Sequence, residues 1–142
     1  MSVSARNAFK GKITALVNGA VNAEVEITTA GGDKIVAIVT EGSVKSLGLA
    51  IDKDAIAYVK APWVIVVAGE NKVRFSARNQ LAGKVSKVSK GSVNSEIGIE
   101  LPGGATVFAV ITNEAVVELG LASGAAATAL IKASHVVLGV PA

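Results

Sequence analysis

Ser4-Ala5-Arg6-Asn7 and Ser76-Ala77-Arg78-Asn79 are one phrase written twice, 72 residues apart. The same offset keeps matching to the end of the chain without a gap. Lys12 falls on Lys84, Gly19 on Gly91, Asn22 on Asn94 and Glu24 on Glu96. Gly31-Gly32 falls on Gly103-Gly104, Leu47-Gly48-Leu49 on Leu119-Gly120-Leu121, and Lys60-Ala61 on Lys132-Ala133. Of the 65 positions from 4 to 68, 25 are identical to their partners. A repeat this regular decides the architecture before any local propensity does. It predicts two units, residues 1–68 and 76–142, joined by a linker over residues 69–75.

Each unit reads as short strands. Residues 11–17 form an apolar run, and Asn18-Gly19 is a turn signal. Residues 21–29 then alternate, with Val21, Ala23, Val25 and Ile27 on one face and Asn22, Glu24, Glu26 and Thr28 on the other, the period of a half-buried strand. The paired glycines supply the φ > 0 conformations of a hairpin turn. The strands after them, residues 35–39 and 107–111, are apolar at nearly every position, so they should be buried on both faces or lie at an interface. The period then changes. Residues 112–120 predict a short helix with Thr112 as N-cap, Glu114 in the first turn and Gly120 beyond the end, and residues 40–48 do the same. Two more strands are expected to close each unit, near residues 55–60 and 63–67, then 127–131 and 136–138. Five strands with a helix between the third and fourth predict an all-β fold with short helices: two tandem OB-type five-stranded barrels.

Composition limits what the barrels can do. The chain has 142 residues, is 51% hydrophobic and has a mean hydropathy of +0.54. Units of this size bury only about 60% of their unfolded surface, so the surplus apolar area predicts association of the halves and of chains. The longest clean apolar run, residues 61–68, is far short of the roughly 20 residues that span a bilayer. The first twelve residues lack the apolar core of a signal peptide. There is no cysteine. A cytoplasmic protein without a membrane segment is expected. The net charge of +3 suits an anionic partner, but scattered charge and only five aromatic residues make a poor nucleic-acid surface.

Catalysis is not expected. The single histidine, His135, is replaced by Trp63 at the matching place of copy one, and a mechanism built twice would not lack its residue in one copy. No cluster has metal-ligand spacing, so no metal is expected to be bound directly by side chains. Anion recognition fits better, at three places in each copy. Ser4 with Arg6, and Ser76 with Arg78, stand at i and i+2, so hydroxyl and guanidinium can converge in extended backbone. Lys60-Ala61 and Lys132-Ala133-Ser134 offer a point charge followed by backbone N–H groups; Pro62, in place of Ser134, makes the two copies unequal. The helix starts, at Thr40 and Ser43 and at Thr112 and Ala115, offer N–H groups at the positive end of a dipole. Surface salt bridges and solvated strand charges are the competing reading of the same residues.

These stretches together resemble the molbindin (Mop) family. The resemblance rests on residues 76–83, Gly91-x-Val93-Asn94-x-Glu96, Gly103-Gly104, Ile111-Thr112, Leu119-Gly120-Leu121 and residues 129–134, and it covers the chain twice. It implies a tandem protein of OB-like barrels that binds molybdate, and tungstate too, as the intact tetrahedral oxyanion. The oxygens are held by hydrogen bonds and no catalytic cofactor is involved. It implies a homotrimer with sites between subunits, using Ser4, Ala5, Arg6, Thr40, Ser43, Lys60 and Ala61 in copy one. In copy two they use Ser76, Ala77, Arg78, Thr112, Ala115, Lys132, Ala133 and Ser134. Further anions on the threefold axis would meet Gly19-Ala20-Val21 and Gly91-Ser92-Val93. The function implied is molybdate storage and homeostasis. The alternative is a molybdate-responsive effector module acting on a partner protein.

Overall fold

A computed structural model describes residues 3–69 and 73–142. The expected linker at 69–75 therefore lies partly outside the described residues. Strands β1 (Asn7–Asn18), β2 (Asn22–Thr29) and β3 (Lys34–Thr40) lead into helix α1 (Glu41–Leu47), then β4 (Asp54–Val59), a 3-10 turn (Ala61–Trp63) and β5 (Ile65–Ala68). The second copy repeats the order with β6 (Asn79–Lys90), β7 (Asn94–Glu100), β8 (Thr106–Thr112), α2 (Asn113–Glu118), β9 (Ala126–Ile131), a 3-10 turn (Ala133–His135) and β10 (Val137–Gly139).

Two five-stranded antiparallel sheets result, in the orders β10-β4-β1-β2-β3 and β5-β9-β6-β7-β8. With the helix between third and fourth strands, this is the OB arrangement, twice. Each sheet takes its fifth strand from the other repeat. Val137 pairs with Tyr58 and Gly139 with Ile56, while Ile65 pairs with Leu130 and Ala68 with Ala127. The expectation that each repeat closes its own unit is corrected here. The 3-10 turns after Lys60 and Lys132 carry the chain across, anchored by buried Ala61, Val64, Ala133 and Val136.

Both helices have the ends the sequence predicts. The Thr40 and Thr112 hydroxyls accept from the Ser43 and Ala115 N–H groups, and Gly48 and Gly120 adopt left-handed conformations. The core is built from alternate positions, Val25 and Ile27 in β2 and Ile97 and Ile99 in β7, against the small residues Ala55, Ala57, Ala127 and Ala129. Alanine on the fourth strand lets a narrow barrel close without overfilling.

The second face of the third strands is covered only in part, so the expected burial on both sides is corrected: Val36 is buried, Phe108 and Val110 are half-buried, and Ile38 is exposed. Asn79, 2% exposed, donates Nδ2–H to the Val36 carbonyl (2.8 Å) and the Ile131 carbonyl (3.2 Å), and its Oδ1 accepts from Val36 N–H at 2.8 Å. Asn7 does the same to Phe108, at 2.8 and 2.7 Å. These amides imitate a neighbouring strand. The glycine pairs divide their work. Within each pair the second glycine has positive φ, 96° at Gly32 and 94° at Gly104. Gly31 is needed for close approach, because a Cβ there would lie 1.9 Å from the Gly103 carbonyl oxygen. Asp33 completes this contact, accepting from the Gly103 and Ala105 N–H groups at 2.9 and 3.1 Å.

Among the described residues Asp52 is the non-glycine residue in the left-handed region, at φ 71°, and copy two has Gly124 there at φ 91°. Asp tolerates this conformation at a modest cost. Asp52→Gly is therefore expected to be neutral to stabilising, by up to about 1 kcal/mol, in thermal unfolding, whereas Gly124→Ala should destabilise.

Candidate functional site

The β1–β4 ladder ends at the pair Asn7–Val59, and the β6–β9 ladder at Asn79–Ile131. Arg6 and Lys60 therefore leave one barrel side by side, and Arg78 and Lys132 leave the other. Antiparallel register brings the first two parts of each expected site together. Ser4, Arg6, Lys60, Ser76, Arg78, Lys132 and Ser134 are exposed, Ala5 and Ala77 are half-buried, and Ala61 and Ala133 are buried beneath the turns.

The third part comes from the other copy. Arg6 pairs with Glu96 on β7, its Nε and Nη2 each 3.2 Å from one carboxylate oxygen. Arg78 reaches Glu24 on β2 through Nη2. Glu96 stands opposite Val110, and two rungs along the same face Asn94 stands opposite Thr112. Strand geometry makes that about 7 Å. The Arg6–Lys60 corner thus faces the helix start at Thr112, and the Arg78–Lys132 corner faces the one at Thr40.

The helix starts are also less open than expected. Ser43 N–H and Ala115 N–H are taken by the threonine caps, each at 3.1 Å. Glu41 N–H and Asn113 N–H donate to the Val21 and Val93 carbonyls, each at 2.8 Å. A ligand at either place would have to compete with these bonds.

The turns at Gly19-Ala20-Val21 and Gly91-Ser92-Val93 lie beside the helix starts. Gly19 N–H donates to the Asn22 carbonyl (2.9 Å) and to the Glu41 carboxylate (3.2 Å). That carboxylate disfavours an anion at the first turn. In copy two the neutral Asn113 replaces it, donating Nδ2–H to the Gly91 carbonyl.

Sequence reasoning missed Glu24, Glu96 and Phe108. The Arg6 guanidinium carbon lies 3.5 Å from the centroid of the Phe108 ring. Recurrence of Glu24 at position 96 was the available signal for the two carboxylates; nothing in the sequence marked Phe108. The salt-bridge reading of Arg6 and Arg78 is itself realised, and both bridges join one repeat to the other. His135 packs on Trp63 with ring centroids 5.0 Å apart, so the two matching residues meet across the repeat interface. Among the described residues no group of acidic residues or histidine could hold a metal ion, and no helix is long and apolar enough to cross a membrane.

Known proteins share both the repeat and the fold. A solved structure of the cytoplasmic molybdate-binding protein ModG, in a form with molybdate bound, is 52% identical. It superposes with a TM-score of 0.93, covering 99% of this chain and 100% of that one. The molybdenum-pterin-binding protein MopA of Rhodobacter capsulatus is 43% identical over 141 residues, 99% of this chain and 53% of MopA. The DNA-binding transcriptional dual regulator ModE of Escherichia coli is 34% identical over 140 residues, 97% of this chain and 52% of ModE. The chain spans about half the length of these curated relatives. Residues 3–66 and residues 76–138 each match the TOBE domain. Two such matches, at the spacing of the internal repeat, make this chain a member of the TOBE domain family that carries the domain in tandem.

Proposed function

We propose that the chain binds molybdate as the intact tetrahedral dianion, stores and buffers it in the cytoplasm, and performs no chemistry on it. The observation that carries this reading is the end-to-end likeness to a molybdate-binding protein with its ligand bound, at 52% identity. The twice-built corners of Ser, Arg and Lys agree with it. Arg supplies a planar fork for oxyanion edges, Lys a mobile point charge, and Ser a hydroxyl donor. Tungstate, a tetrahedral dianion of nearly equal size, fits the same donors.

Charge counting supports sites completed between subunits. One Arg and one Lys balance a dianion, but Glu96 or Glu24 reduces each corner to a formal +1 within the chain. A desolvated dianion needs the missing charge or donors from elsewhere. Exposed apolar residues offer the contact: Val17, Val21, Val93 and Val117 are 65–80% exposed. A homotrimer buries them and brings the donors of a second subunit to each corner. Ligand bridging subunits then stabilises the assembly by linkage.

The test is calorimetric titration of molybdate with excess sulfate present, with oligomer mass measured in the same buffer. Saturable binding of more than one molybdate per chain, indifferent to sulfate, is expected. Arg78→Ala should weaken one class of sites by about tenfold or more, the cost of a charge-assisted hydrogen bond. Absence of heat and of retained molybdate after dialysis would sink the storage reading. A second reading is favoured by relatives twice as long that are transcriptional regulators: a molybdate-responsive effector module acting on a partner protein. A partner retained from lysate only in the presence of molybdate would support it.

A further inference from the structure

The two corners hold their arginines differently. Arg6 is fixed on two sides. Its Nε and Nη2 fork onto Glu96, and one face of its plane lies on the Phe108 ring, 3.5 Å from the centroid. Among the described residues no bond is made by the edge formed by Nη1 and the second hydrogen of Nη2, the edge offered to a ligand. At the matching position copy one has Val36, which presents no ring. There Arg78 lines a cleft of about 430 Å3 with Val36, Lys34 and Gln80. Neither Arg6 nor Phe108 lines the corresponding cleft of the other half, of about 290 Å3. Both guanidinium groups are paired with a carboxylate, but one is also stacked on a ring, whereas the other borders open space.

We infer that Phe108 is a positioning residue that makes the Arg6 corner the tighter of two unequal oxyanion sites, and that Val36 leaves the Arg78 corner the weaker. The inference rests on the oxyanion reading of these corners. An arginine has several soft torsions, and fixing it on binding costs affinity that a preorganised side chain has already lost. A ring under the guanidinium does this without competing for the ligand, because the attraction uses the face and the oxyanion uses the edge. Asymmetry is therefore set by a residue that does not touch the anion. Its backbone is held independently by Asn7, so changing the side chain leaves the clamp between repeats in place.

The test is molybdate calorimetry on the full chain and on Phe108→Val, Phe108→Tyr, Val36→Phe, Arg6→Ala and Arg78→Ala, with thermal unfolding and oligomer mass recorded for each. The wild type should show two affinity classes, the tighter one removed by Arg6→Ala. Phe108→Val should weaken that class by about three- to tenfold, the cost of ordering one long side chain, and leave the other unchanged. Phe108→Tyr, which keeps the ring, should retain it. Val36→Phe should tighten the weaker class; if that variant fails to fold, the two Phe108 variants decide. The inference is overturned if Phe108→Val titrates like the wild type, if Phe108→Tyr weakens binding as much as Val, or if Arg78→Ala removes the tighter class. A wild type that takes up no molybdate is a different failure, that of the oxyanion reading itself.

Discussion

Replacing Asn79 with alanine is expected to destabilise the protein by about 3 kcal/mol, read as a lowered denaturant midpoint at unchanged slope. Asn79 is buried and makes three hydrogen bonds, two of them to both backbone groups of Val36 in the other repeat. Alanine cannot replace them. The Val36 N–H and carbonyl are left without the partner that imitates a strand, and each unsatisfied buried group costs about 1–3 kcal/mol. Asn79→Asp should do no better. It keeps an acceptor for Val36 N–H but aims negative charge at the carbonyls of Val36 and Ile131. Asn7→Ala should cost somewhat less, because Asn7 makes two such bonds, both to Phe108. A loss below 1 kcal/mol for Asn79→Ala would mean that these clamps do not hold the repeats together.

The second large effect is expected at Gly11→Ala. Gly11 lies in β1, the central strand of its sheet, between Thr29 and Ala55. A Cβ there would lie 2.2 Å from the Thr28 carbonyl oxygen and 2.9 Å from Cγ2 of Ile27. The obstacle is backbone of the paired strand, which cannot rotate away as a side chain can. Either the ladder opens or β1 shifts, and both disturb the bulge between Ile13 and Ala15. Overpacking of this kind costs roughly 1–3 kcal/mol, and the upper end is expected for a backbone clash. Gly83 repeats the geometry, with a Cβ 2.2 Å from the Glu100 carbonyl oxygen, so Gly83→Ala should behave alike. Thermal unfolding of the two variants checks this; near-wild-type midpoints would show that the strand coils without needing glycine here.

Much of the fold was legible because its signals are local. Alternation gave Ala23, Val25 and Ile27 as the buried face of β2, although Val21, expected on that face, precedes the strand and is 73% exposed; Thr40 and Thr112 marked the helix starts, and Gly48 and Gly120 the ends. The site residues were legible as a vocabulary, since Ser, Arg and Lys recur at one offset and antiparallel register does bring Arg6 beside Lys60.

What the sequence by itself determined is the number of barrels, the order of their elements and the cationic corners they carry. These follow from periodicity, capping and repetition, which act between residues near in the chain or equivalent by duplication. The tertiary structure alone decided which barrel each fifth strand joins. The pairing joins residues distant in the chain, so no local preference states it; the 3-10 turn carries the chain across, and the clamps of Asn7 and Asn79 join the repeats. It alone decided that Arg6 meets Glu96 and Phe108 while Arg78 meets Glu24 beside Val36. Those partners are far along the chain, and only packing of one repeat against the other makes them neighbours.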